Sequence, residues 1–274
     1  MIRRILATAN TEFRIALRNR WVAIAVLLMV VFSLVLAAAG SAPTGELGVD
    51  RLSVIVASLT SLSVYLVPLV ALLMSFDAVA GEVERGTLPL LLTYPVARGE
   101  ILAGKLVAHL AVLTIAVVAG YGAAAAAAFA TDPNAIDGLS ALWRLTWTSV
   151  LLGATFLGAG YALSSLSRRP SGAAGLAVGL WLGLVVLYDL GLLAGVVADN
   201  GGTFTLSVFP KLLLANPADA FRLFNLASSQ ATAAAAGVGG AASTIPLWQS
   251  AASILLWPLI ALALSITAFR KVTP

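Results

Sequence analysis

Six stretches of this 274-residue chain run nineteen to thirty residues with no more than one charged side chain apiece: Trp21–Ala39, Leu52–Ala78, Ile101–Ala130, Ala141–Ser167, Ser171–Ala198 and Ser250–Phe269. A helix needs roughly 20 mostly apolar residues to cross the hydrocarbon of a bilayer. The expected fold is therefore an all-α integral membrane protein with six transmembrane helices. The chain is 60% hydrophobic and only 10% charged, whereas soluble domains carry about 25% charged residues. One soluble core could not hide so much apolar surface.

Charge placement sets the orientation. With both termini cytoplasmic, twelve basic residues face the cytoplasm: Arg3, Arg4, Arg14, Arg18, Arg20, Arg85, Arg98, Lys105, Arg168, Arg169, Arg270 and Lys271. Four face outward: Arg51, Arg144, Lys211 and Arg222. Such an excess of inside cations is how topology is encoded, so the net charge of +4 is not a nucleic-acid signal. Residues 2–20 place Ile5, Leu6, Ala9, Phe13, Ala16 and Leu17 at helical spacing among arginines. That pattern predicts an amphipathic helix lying in the membrane interface, in contact with lipid. Ala37–Ala42 resembles a signal-peptide cleavage region, but the long basic flank before it contains Glu12 and argues against cleavage. Residues 199–249 form an outer segment, in which Asn216-Pro217-Ala218-Asp219 is a helix-start signature.

There is no cysteine, one histidine (His109) and three methionines, too few soft ligands for a metal-binding module. His109 fits either a satisfied buried group or a ligand. Asp189, in the middle of the fifth span, reads as an interhelical lock with Tyr188 or Tyr161, or as a cation or proton site, because a lone carboxylate in hydrocarbon is costly. Gly175, Gly179, Gly183, Gly191 and Gly195 permit close helix contact, within the subunit or with a second copy. Gly99–Leu106 nearly spells a phosphate-binding loop, but Leu106 stands where the magnesium-binding hydroxyl belongs and no strand precedes it. The chain is thus expected to carry no nucleotide, cofactor, metal or catalytic site.

The loop between spans two and three, residues 81–100, carries Leu88 to Leu92 between charged shoulders and two prolines. A short helix offering apolar side chains to a partner's groove and a local cap under the bundle both fit. The pattern Gly81-Glu82-Val83-Glu84-Arg85-Gly86-Thr87-Leu88, followed by Pro95-Val96-Ala97-Arg98-Gly99-Glu100-Ile101-Leu102-Ala103-Gly104-Lys105, resembles the ABC-2 class of ABC-transporter membrane subunits. Ser75–Glu82, Leu90–Pro95, Lys105–His109, Asn216–Asp219 and Arg222–Leu226 narrow it to the membrane subunits that serve maturation of nitrous oxide reductase.

The resemblance implies a bacterial inner-membrane protein. A second copy of the chain, a pair of cytoplasmic ATPase subunits holding ATP and magnesium, and a periplasmic copper-site assembly protein are its implied partners. Residues 81–100 are the implied coupling loop, with Glu82, Glu84, Arg85, Thr87, Leu88, Leu91, Tyr94, Pro95 and Arg98 meeting the ATPase. Asn216, Asp219, Phe221, Arg222 and Asn225 are the implied periplasmic contact. Pro89 departs from the broader class, where many exporters carry an acid. A generic exporter of lipid, drug or glycan is the alternative within the class. A secondary carrier or intramembrane enzyme is the alternative outside it, and usually needs several intramembrane ionisable groups.

Overall fold

The computed structural model describes residues 2–39, 50–93, 96–235 and 245–272. Among these residues there are helices and no strands. Helix α1 (Ile2–Arg18) meets α2 (Arg20–Ala39) at 70°. The bend follows the sequence, since α1 is two-faced and α2 is apolar all round. Leu6, Ile15 and Leu17 on α1 stay exposed, while Ala9 and Ala16 pack inward.

Helix α3 (Arg51–Ser75) starts at Asp50, whose Oδ1 accepts from the Ser53 amide at 2.9 Å. This cap satisfies one of the amides that every helix start leaves free. Short helices α4 (Ala80–Glu84) and α5 (Thr87–Thr93) follow. The turn between them is made at Gly86, φ +67°, a left-handed conformation that favours glycine. Long helix α6 (Arg98–Phe129) then returns, and the short turn Pro133–Gly138 leads into α7 (Leu139–Leu166).

The core is shared by α2, α3, α6 and α7, with α13 (Leu247–Arg270) laid along α7. With no water to drive helices together in a bilayer, close backbone approach does the work. A Cβ on Gly158 of α7 would lie 2.9 Å from the Ala261 Cβ and 3.0 Å from the Ala261 carbonyl carbon, so α13 seats where glycine leaves room. One buried hydroxyl network ties three of these helices together. The Tyr121 hydroxyl of α6 bonds Ser63 of α3 at 2.5 Å and Ser149 of α7 at 2.8 Å.

The fifth long apolar unit is different. It comprises α8 (Pro170–Trp181), a π-helical stretch (Leu182–Leu187) and α9 (Tyr188–Asp199). In its most apolar stretch only 11% of residues are buried, against 67% for the unit containing α3. Gly175, Gly179, Gly183 and Gly191 face open space, so among the described residues the stripe packs against nothing at these positions, whereas Gly195 lies against Phe204. The chain then folds back through a wide π turn (Phe204–Val208), α10 (Phe209–Ala215), α11 (Pro217–Ala227) and α12 (Gln230–Ala235) before α13. Among the described residues, five helical units are long and apolar enough to cross a membrane, or six if α1 and α2 count as one bent span.

Candidate functional sites at the two ends of the bundle

At one end, α4 and α5 form an elbow below α3. Two amides at the start of α4, Val79 and Ala80, donate to the Ser164 Oγ of α7 at 3.0 and 2.9 Å. The elbow is thereby fastened to α7 as well as to α3. The Thr87 hydroxyl donates to the Glu82 carbonyl at 3.3 Å, and Arg85 pairs with Asp77 at 3.4 Å on the exposed side.

The sequence-predicted coupling residues divide into two groups. Glu84, Arg85 and Thr87 are exposed and available to a partner. Glu82 and Leu88 are buried, so they hold the elbow in place and offer no surface. Arg98 turns back onto α13, donating to the carbonyls of Phe269 at 3.0 Å and Val272 at 2.6 Å. Phe269 is in the last turn of α13 and Val272 lies two residues beyond its end, where a cation complements the helix dipole. Tyr94, Pro95 and the Leu91 side chain lie outside the described residues. Among the described side chains of α5, Leu90 is 65% exposed and was not among the predicted contacts.

Beneath the elbow lies a cluster that sequence reasoning missed. Lys105 of α6 is 2% exposed and donates to Glu12 Oε1 of α1 and Glu82 Oε1 of α4, both at 2.6 Å. Three elements meet on one ammonium. The signal was present: Lys105 is the one charge within Ile101–Ala130, and Glu12 is the one acid before Glu46. A lone charge in a span needs a counter-charge. One turn further along α6, His109 Nδ1 bonds the Tyr161 hydroxyl of α7 at 2.7 Å, and the rings stack at 5.9 Å between centroids. His109 is thus a satisfied interhelical group. Among the described residues no three His, Cys, Asp or Glu side chains gather as a metal site.

At the other end, α10 and α11 clasp α9 and the π-helical stretch. Asn216 caps α11, its Oδ1 accepting from the Ala218 amide at 2.9 Å, with Pro217 in the first turn. Its Nδ2 donates to the Leu184 carbonyl at 2.6 Å. In that stretch the Tyr188 amide reaches Gly183, five residues back, which displaces the ordinary i−4 pattern. The Tyr188 hydroxyl donates to the Leu212 carbonyl of α10 at 2.8 Å. Asp189 is paired with Arg222 of α11 at 2.7 Å, and the same Arg222 nitrogen also pairs with Asp219. The expected interhelical lock at Asp189 exists, but its partner is Arg222, which lies 33 residues away. Burial and the hydrogen bond with Asp189 push the Asp219 carboxyl up to about 7, against the opposing pull of Arg222.

This geometry corrects the outer contact set. Asn216, Asp219, Phe221 and Asn225 are all buried, and Arg222 is only partly exposed. Asn225 is bonded to Thr148 of α7 at 2.9 Å through its Nδ2. The same polar residues that look like a binding surface in the sequence are the ones needed to satisfy buried backbone and charge. They build the outer segment and are not its surface.

Comparison with known proteins places this architecture. The family of ABC-2 family transporter proteins matches residues 6–272. The chain belongs to that family and is the multi-pass membrane subunit of an ABC transporter. More particularly, it is 45% identical over 267 residues to the probable ABC transporter permease protein NosY of Pseudomonas aeruginosa, covering 96% of each chain. It is 40% identical over 270 residues to the protein of the same description from Stutzerimonas stutzeri, again over 96% of each.

Proposed function

We propose that this chain serves the ABC transporter that assembles the copper–sulfur centres of nitrous oxide reductase, by coupling ATP hydrolysis on partner subunits to a periplasmic assembly protein. The observation that carries this reading is near-full-length identity to two permeases described as NosY. Twelve of sixteen basic residues lie at the end that bears α4 and α5, or in the segments that flank it. That end is assigned to the cytoplasm of the inner membrane.

An ATPase pair, with its ATP and magnesium, docks on Glu84, Arg85, Thr87 and Leu90. Closure of that pair pushes the elbow. Because Ser164 and Lys105 tie the elbow to α7, α6 and α1, the push reaches the bundle directly. At the outer end, α11 and α9 move as one piece, since three polar contacts join them and α10. The open glycine face of α8 and α9 is assigned to a second copy of the chain. With no cysteine and few methionines or histidines, a copper path through the helices has little to stand on. Mechanical work on the partner, or passage of a sulfur species, fits the composition.

The test is co-purification in mild detergent of the tagged chain expressed with its chromosomal neighbours. An ATPase and a periplasmic protein at near-equal stoichiometry, with loss of the reductase's copper centres when the chain is deleted, are expected. Purification without any ATPase would overturn the coupling role. Intact copper centres in the deletion strain would overturn the client.

A further inference from the structure

The outer clasp has more negative charge than positive. Arg222 contributes one guanidinium, while Asp189 and Asp219 contribute two carboxyls. Asp219 is 2% exposed, and its Oδ2 is buried without a hydrogen-bond donor. That oxygen has no accessible surface, so no metal ion or water can reach it without displacing protein. A proton needs no such room. Both carboxyls converge on one nitrogen of Arg222, Asp189 Oδ2 at 2.7 Å and Asp219 Oδ1 in direct contact. Two carboxylates crowded on one guanidinium nitrogen bring acceptors and no second donor; a proton supplies that donor and removes their repulsion.

We propose that Asp219 and Asp189 form a proton-binding site, one proton held between the two carboxyls beside Arg222, which fastens α11 to α9. Binding converts one carboxylate to a carboxylic acid and releases nothing. Exchange with solvent runs through Asp189, which is 26% exposed, and not through Asp219. Other charged groups on the packed helices do not compensate the pair. Tyr188 of α9 spends its proton on the Leu212 carbonyl. Lys211 of α10, Arg51 of α3, Arg144 of α7 and Arg270 of α13 make no ion pair with either carboxyl, and α12 has no ionisable residue. Tyr161 of α7 is engaged with His109, and Tyr65 of α3 is exposed.

The raised Asp219 value supports the site and gives the direction of its effect. A carboxyl held above its ordinary value binds its proton more tightly folded than unfolded. The clasp is therefore strongest in acid and weakens as pH rises from about 4 to about 7. Loss of the proton leaves two carboxylates competing for one guanidinium, and α11 loosens from α9.

The experiment is an infrared pH titration of the full-length chain in lipid nanodiscs, following the C=O stretch of protonated carboxyls. A band that disappears with a midpoint near pH 7 is expected. In Asp219→Asn that band is absent. In Asp189→Asn, which removes the competing carboxylate, its midpoint falls by about one pH unit or more. Thermal melting of the wild type should worsen between about pH 4 and 7 while that of Asp219→Asn stays flat. Absence of a titrating band in the wild type overturns the proposal even if Asp219→Asn does not fold. A band unchanged in Asp219→Asn overturns it equally, by placing the proton elsewhere.

Discussion

Replacing Lys105 with methionine removes the cation on which α1, α4 and α6 converge, and its cost can be worked from the contacts. Two carboxylates sit at 2.6 Å from the ammonium nitrogen, with side-chain exposures of 16% for Glu12 and 11% for Glu82. An ion pair whose charges are about 4 Å apart is worth roughly 4 kcal/mol at an effective dielectric of 20. Desolvation offsets much of that in the intact cluster. In Lys105→Met the attraction is lost, but both carboxylates remain buried and now repel. Removing one partner of a buried pair typically costs about 3–5 kcal/mol, and this cluster belongs at the upper end. By contrast, Lys105→Met combined with Glu12→Gln and Glu82→Gln leaves no charge and is expected to regain most of the loss. The assay is the thermal midpoint of the detergent-purified variants, read as the loss of the monodisperse chromatographic peak. A single mutant as stable as the wild type, or a triple mutant as damaged as the single, would refute the view that an uncompensated buried charge is the origin of the effect.

Other perturbations test separate contacts. Ser164→Ala leaves the Val79 and Ala80 amides without their acceptor and should cost about 1–3 kcal/mol, with faster hydrogen exchange confined to the start of α4. Gly158→Ala drives a methyl into Ala261 of α13 and should destabilise by about 1–3 kcal/mol; unchanged melting would show that α13 slides freely. Leu90→Asp should abolish ATPase co-purification with no change in thermal midpoint, because that side chain contributes little to the fold.

The long helices were legible because a bilayer demands continuous apolar runs, a signal local in sequence. The bend between α1 and α2 was legible too, as a switch from a two-faced pattern to a uniformly apolar one. What joins the helices was not. Glu12 and Lys105 are 93 residues apart, and Asp189 and Arg222 are 33 apart, so nothing local pairs them. Asn216, Asp219 and Asn225 misled for a related reason. Polar residues in a short outer helix look solvated until one knows that α3, α7 and α13 surround them. The motif at residues 81–100 marks the segment by resemblance, yet it does not say that Glu82 and Leu88 point inward and Leu90 outward.

Arg98 opens α6 but holds the carbonyls at the end of α13, 171 residues further along the chain. During synthesis those carbonyls do not yet exist when α4, α5 and α6 emerge from the ribosome. The near border of the α4–α5 elbow is therefore pinned only after α13 has been made and inserted. An ATPase meeting the growing chain would find an unfinished seat. On the docking proposed above, completion of the membrane domain acts as its own licence for assembly, and a chain cut before α13 is expected to be a poor recruit to the complex even with residues 81–100 intact.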